Sequence, residues 1–218
     1  MAKSNREYRN MVLRAANMEE RAEGDQEEKI VEGYASTFSD PYVLYEDDDI
    51  IFREQVAPEA FDNTDMSDVI MQYDHQGRVF ARITNGTLEV DTDDVGLLIR
   101  ANLGGTDIGR ELYDEIAGGY TDKMSFGFTV SSDEELRTED ETGRVDILRT
   151  ITGVGKLYDV SAVSIPANDG TSIGVQTRSR IDGVIEEVRA ERLAAEEMEL
   201  ARRRTETRAK AIKSGGNK

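Results

Sequence analysis

The 218-residue chain carries 45 acidic against 27 basic side chains, a formal charge of −18 at pH 7. Such a surface repels a phosphate backbone, so no nucleic-acid partner is expected; a basic partner or plain solvation fits the sign better. With no cysteine there is no disulfide framework, thiolate nucleophile or Cys-based metal site, and no apolar run approaches the ~20 residues of a membrane-spanning helix.

Residues 1–28 are polar and charged with few apolar anchors, and read as a loosely held arm. The arm starts basic with no apolar core behind it, which argues against a secretory signal. Short strands follow. Residues 29–38 alternate, 50–56 alternate less cleanly, and 69–74 form a compact apolar run; 79–83, 87–91 and 95–103 come next, separated by Gly, Asn and Asp turn signals. Asn85-Gly86 is a hairpin signal, because both residues tolerate positive φ. A helix is predicted over 106–117, with Thr106 or Asp107 as its cap, Ile108, Leu112, Tyr113 and Ile116 on one face, and Gly118-Gly119 as its stop. Strands resume at 123–131, an acidic loop covers 133–143, and further strands span 144–152 and 156–165 before Pro166 and a turn over 167–170.

Near Thr177 the composition changes. Ile181, Val184, Ile185 and Val188 fall at helical spacing, then acidic residues give way to Arg202, Arg203, Arg204, Arg208 and Lys210, a charge order that suits a helix dipole. The expected organisation is a polar N-terminal arm (1–28), one domain (29–178) and a charged helical C-terminal arm (179–218). Many short strands with one or two helices predict a mainly β, α+β body. The expected form is a closed or nearly closed β-barrel decorated by helices. A fold class alone assigns no function.

Three segments hold residues able to do chemistry. His75, the only histidine, ends an apolar run and opens the polar turn Gln76-Gly77-Arg78. A strand end puts it at a sheet rim, and imidazole is well suited to accept and return a proton near neutral pH. From spacing alone, an ordinary turn histidine bonded to Asp74 fits the position better. Along 123–129, alternation sends Met124, Phe126 and Phe128 to a core face and Ser125, Gly127 and Thr129 outward. Ser125 beside a glycine can act as a nucleophile if a base reaches its Oγ; the alternative is a surface serine on an amphipathic strand. Further on, alternation groups Leu157, Asp159, Ser161 and Val163 on one face and Val160, Ala162 and Ser164 on the other. Asp159, inside an apolar strand, needs a partner. A histidine Nδ1–H would serve; so would an arginine, Arg149 being one candidate, or a solvated strand face. One histidine and no cysteine leave a metal only carboxylates as further ligands, so no metal or cofactor is expected.

Taken in order, these segments resemble the prohead protease family of tailed bacteriophages, over roughly residues 30 to 175. Gly33-Tyr-Ala-Ser-Thr-Phe38 resembles the family's opening strand. Glu54-Gln-Val-Ala-Pro-Glu-Ala-Phe61 resembles the turn before its histidine strand, with Glu59 where glycine is usual. Asp74-His75, Asp94-Val-Gly-Leu97, Met124-Ser-Phe-Gly-Phe128, Leu157-Tyr-Asp-Val-Ser161 and Pro166-Ala-Asn168 follow in the family's order. Phe80-Ala81 replaces the usual Leu-Gly.

The resemblance implies a fold similar to that of herpesvirus assemblins, with Ser125 as nucleophile and His75 as base. The third position commonly holds glutamate in the family and is Asp159 here. It also implies a substrate, the scaffolding segment of the major capsid protein and often the protease itself, met inside the prohead in the host cytoplasm. Assemblins dimerise, so self-association is a further expectation. Two other readings stand beside this one. The chain could be a non-catalytic capsid-assembly scaffold retaining the protease fold, or an unrelated strand-rich binding module with His75 and Ser125 far apart.

Overall fold

The period-2 patterns become strands wherever one face can be buried. A computed structural model describes residues 6–15, 29–164 and 175–215. Its strands, in chain order, are β1 (Glu7–Ala15), β2 (Ile30–Thr37), β3 (Tyr42–Glu46), β4 (Ile50–Val56), β5 (Ile70–Tyr73), β6 (Gln76–Arg82), β7 (Leu88–Thr92), β8 (Gly96–Asn102), β9 (Lys123–Glu139) and β10 (Val145–Val163). Helix α1 (Asp107–Ala117) lies between β8 and β9, and α2 (Val175–Gly215) follows β10. The chain divides into two units, residues 1–177 and 178–218. No helix among the described residues is long and apolar enough to cross a membrane.

In the first unit the hydrogen-bonded order is β3-β4-β10-β9-β1-β2-β8-β7. Strand β10 organises it. Antiparallel β9 follows one edge along its whole length, while the other edge takes β4 and then β5, both parallel. β6 pairs with β5 as a branch off the main path. A single bridge, Phe38 with Val56, links the end of β2 to the end of β4, and the Ser39 N–H donates to the Val56 carbonyl at 2.9 Å. One bridged pair is not a ladder. The fold is mainly β with two helices, and the expected closure into a barrel is not seen among the described residues.

Met124, Phe126 and Phe128 of β9 enter the hydrophobic core as alternation predicts, together with Val31, Ile99, Met71 and the α1 residues Leu112 and Ile116. The Phe126 and Phe128 rings stack with centroids 4.6 Å apart. Burying each such side chain is worth about 1.5–3 kcal/mol. The α1 cap is Thr106, whose Oγ1 accepts the Gly109 N–H at 3.1 Å. Gly96, in the Asp94-Val-Gly-Leu97 motif, is required by close packing: a Cβ there would lie 1.9 Å from the Ser36 carbonyl oxygen.

The structure departs from the sequence reading elsewhere too, and β3 forms where no strand was expected. Residues 7–15, read as part of a polar arm, form a strand between β9 and β2; the rest of 1–28 except Arg6 lies outside the described residues. The acidic stretch read as a loop over 133–143 instead carries β9 out to Glu139 and turns back at once into β10. Asn85-Gly86 does make a turn, with Gly86 at φ 74°. However, the flanking β6 and β7 do not pair, because β7 takes β8 as its partner. Pro166 and the 167–170 turn fall outside the described residues.

The second unit is mostly the single helix α2. On its surface Arg203 pairs with Glu199 at 2.5 Å and Arg202 with Glu206 at 3.1 Å, both at i,i+4 spacing.

Candidate active site

The β9–β10 ladder sets the floor of the site. Ser125 lies opposite Ser161, Gly127 opposite Asp159, and Phe128 opposite Leu157. Between Leu157 and Asp159, β10 advances two residues while β9 advances one, a β-bulge. The bulge breaks the strict alternation read from the sequence. Leu157 joins Val160 and Ala162 in the core, whereas Asp159 shares the opposite face with Ser161 and Ser125. That face is not open, as a simple amphipathic strand would have it. Ser125 is 1% exposed, Asp159 2% and Ser161 0%.

What lies over them is the β5–β6 hairpin. Tyr73 pairs with Gln76, so Asp74 and His75 are the two central residues of the turn, at φ 48° and 57°. Positive φ at both positions is the habit of type I′ turns, which favour Asn-Gly. The left-handed region costs an L-residue roughly 1–2 kcal/mol. Asp74 tolerates it better than most; His75 occupies the position where glycine is usual. Backbone strain of this kind concentrates at functional positions.

From that turn the imidazole reaches both strands beneath it. Nδ1 lies 2.5 Å from Asp159 Oδ1 and Nε2 lies 2.7 Å from Ser125 Oγ. The Ser161 hydroxyl donates to the same Asp159 oxygen at 2.9 Å. The carboxylate at Nδ1 favours the tautomer that carries its proton there, leaving the Nε2 lone pair to accept from the Ser125 hydroxyl. The His75 side chain is 19% exposed against 3% for Asp159. The chain of groups therefore runs from a desolvated acid to a ring that solvent touches. A serine hydroxyl bonded to an imidazole, itself bonded to a carboxylate, can carry out nucleophilic acyl transfer.

All three residues singled out in the sequence are thus brought together. The alternative partner for Asp159 is overturned, because Arg149 binds Glu7, Glu54 and Asp133. Asp74 directs its carboxylate to Ser164. Sequence reasoning missed Ser161 as a donor to the acid. Its signal was the Asp-x-Ser spacing that puts both side chains on one strand face.

A family model described as Caudovirus prohead serine protease matches residues 16–183, most of the chain. No curated protein and no solved structure matches it. The chain belongs to the caudovirus prohead serine protease family. At the level of the family this makes it a serine protease of capsid maturation, with capsid protein as its class of substrate and the prohead as its place of action.

Proposed function

We propose that in this prohead serine protease Ser125 is the nucleophile, His75 the general base and acid, and Asp159 the group that orients the imidazole. The observation that carries the reading is the unbroken hydrogen-bonded path from Asp159 through His75 to Ser125, at 2.5 and 2.7 Å. As Ser125 Oγ attacks the scissile carbonyl, His75 Nε2 takes its proton. Asp159 stabilises the imidazolium, which then protonates the leaving amine. The same base activates the water that releases the acyl group. Aspartate replaces the glutamate common in the family, and its carboxylate still meets Nδ1 at hydrogen-bond distance. By the family resemblance, the proposal also takes the β body as assemblin-like.

The proposed substrate is the scaffolding segment of the major capsid protein, and a site near the start of the charged C-terminal arm is a second, self-cleaved one. Co-expression with the phage's major capsid protein tests the first. Wild type should shorten the capsid band and Ser125→Ala should leave it full length. Equal bands from both would favour a non-catalytic scaffold. Mass spectrometry of the purified protein tests self-cleavage, which an intact C-terminus in active enzyme would exclude.

A further inference from the structure

We infer that Asp74 is a positioning residue for the His75–Ser125 couple: its carboxylate clamps the turn that carries the base onto the strand that carries the orienting acid. The inference rests on the catalytic reading above. It concerns a residue that this reading gives no part.

The hairpin needs such a clamp. β5 is only four residues long, its ladder to β6 is irregular between Met71 and Tyr73, and residues 76–79 of β6 are exposed. The ladder to β10 holds the hairpin as far as Tyr73, but burial does little for the tip beyond it. The tip itself has two consecutive residues at positive φ, a conformation that persists only where its surroundings enforce it. Yet the ring at this tip must keep two contacts of 2.5 and 2.7 Å at once.

Asp74 adds restraint through three hydrogen bonds, a main-chain one to the end of β10 and two from its carboxylate to Ser164, the residue just past that strand. Its N–H donates to the Ala162 carbonyl at 2.9 Å. Its Oδ1 accepts the Ser164 N–H at 2.9 Å and its Oδ2 the Ser164 hydroxyl at 2.9 Å. Asp159 is on the same strand, so β10 fixes both the acid and the turn that aims the base. Holding reacting groups within such tolerances is worth large rate factors; a misplacement of ~1 Å can cost about 100-fold.

The two properties of Asp74, tolerance of positive φ and acceptor oxygens, can be separated by substitution. Asn keeps both, since its Oδ1 accepts the Ser164 N–H and its amide can donate to the Ser164 hydroxyl. Gly keeps the turn but removes the clamp. Ala removes both. Initial rates of capsid-protein cleavage at varied substrate concentration should fall in kcat for Asp74→Gly by about 100-fold, with KM nearly unchanged. Asp74→Ala should fall at least as far, and Asp74→Asn should retain activity near wild type. Because the chain has one histidine, the imidazole nitrogen resonances of 15N-labelled protein report on His75 alone. The Nδ1–H signal should broaden or vanish in Asp74→Gly while the amide spectrum of the rest of the sheet is kept. Wild-type rates in Asp74→Gly would overturn the clamp, and an Asp74→Asn variant as impaired as Asp74→Ala would show that charge, not hydrogen bonding, is what matters. If Ser125→Ala itself still cleaves, the catalytic reading fails. The imidazole spectrum then still decides whether Asp74 fixes the ring.

Discussion

Two buried constellations of charged and polar side chains are built on the β9–β10 hairpin, and they are made for opposite ends. One is Asp159–His75–Ser125. The other gathers Arg149 and Arg9 with Glu7, Glu54 and Asp133: Arg149 contacts Glu7 at 2.9 Å, Glu54 at 2.8 Å and Asp133 at 2.5 Å, and Arg9 contacts Glu7 at 2.6 Å and also Glu54. Tyr42 closes it by donating to Glu54 at 2.5 Å. Burial pushes the Glu7 carboxyl up, but Arg149 and Arg9 outweigh it and hold it below the ordinary glutamate range. Burial and then Glu54 push the Tyr42 phenol well up. Guanidinium groups do not give up protons at working pH, so this cluster is saturated and fixed in charge. The site at Ser125 instead has a single ring that can gain and lose a proton and that solvent touches. Buried charge alone therefore does not mark a functional site.

The contrast can be broken from either side. The largest effect is expected at the proposed catalytic group: Ser125→Ala, His75→Ala and Asp159→Asn should each lower kcat by about 10⁴-fold or more, and Ser125→Ala should keep a melting temperature close to wild type by calorimetry. In the ionic cluster the reverse holds. Glu54→Ala leaves two buried guanidiniums short of a partner and should cost about 3–5 kcal/mol in urea unfolding, while the cleavage rate per folded molecule changes little. Ser161→Ala removes one donor from a buried carboxylate. It should cost about 1–3 kcal/mol, read as a loss of kcat together with a smaller drop in stability.

The pH dependence gives the smallest effect. Because the folded Glu7 carboxyl titrates below its ordinary value, its contribution to stability is complete at pH values above about 4.5 and is lost as pH falls through the folded value. The gap in unfolding free energy between wild type and Glu7→Gln should therefore be widest at neutral pH and close on acidification. A gap that widens in acid would contradict this sign.

The same two regions explain what the sequence could and could not disclose. Alternation located most strands, and the Ser125 strand with its core-facing Met124, Phe126 and Phe128 was read directly. β1 was missed because Glu7 and Arg9 stand at buried positions, and reading along the chain treats such residues as solvated. Their partners Glu54 and Arg149 are 45 to 142 residues away. At the site the three residue types and the shared face of Asp159 and Ser161 were legible, but not the side on which Leu157 falls. A single bulge moves Leu157 and Asp159 to opposite sides of β10, and no residue pattern announces a bulge. Nor does the sequence say that an aspartate and a histidine will both adopt positive φ, since glycine is what that geometry normally demands.

The parallel pairing of β4 and β5 with β10 has a consequence in time. His75 must wait for Ser125, 50 residues later, and for Asp159, 84 residues later, and contacts so far apart form slowly. A chain still being translated holds His75 and Ser125 before it holds the strand that carries Asp159. Until Ala162 and Ser164 have been made, the turn bearing His75 lacks the hydrogen-bond partners of Asp74. On the proposed roles, the path from Asp159 through His75 to Ser125 is therefore complete only after residue 159 has been made.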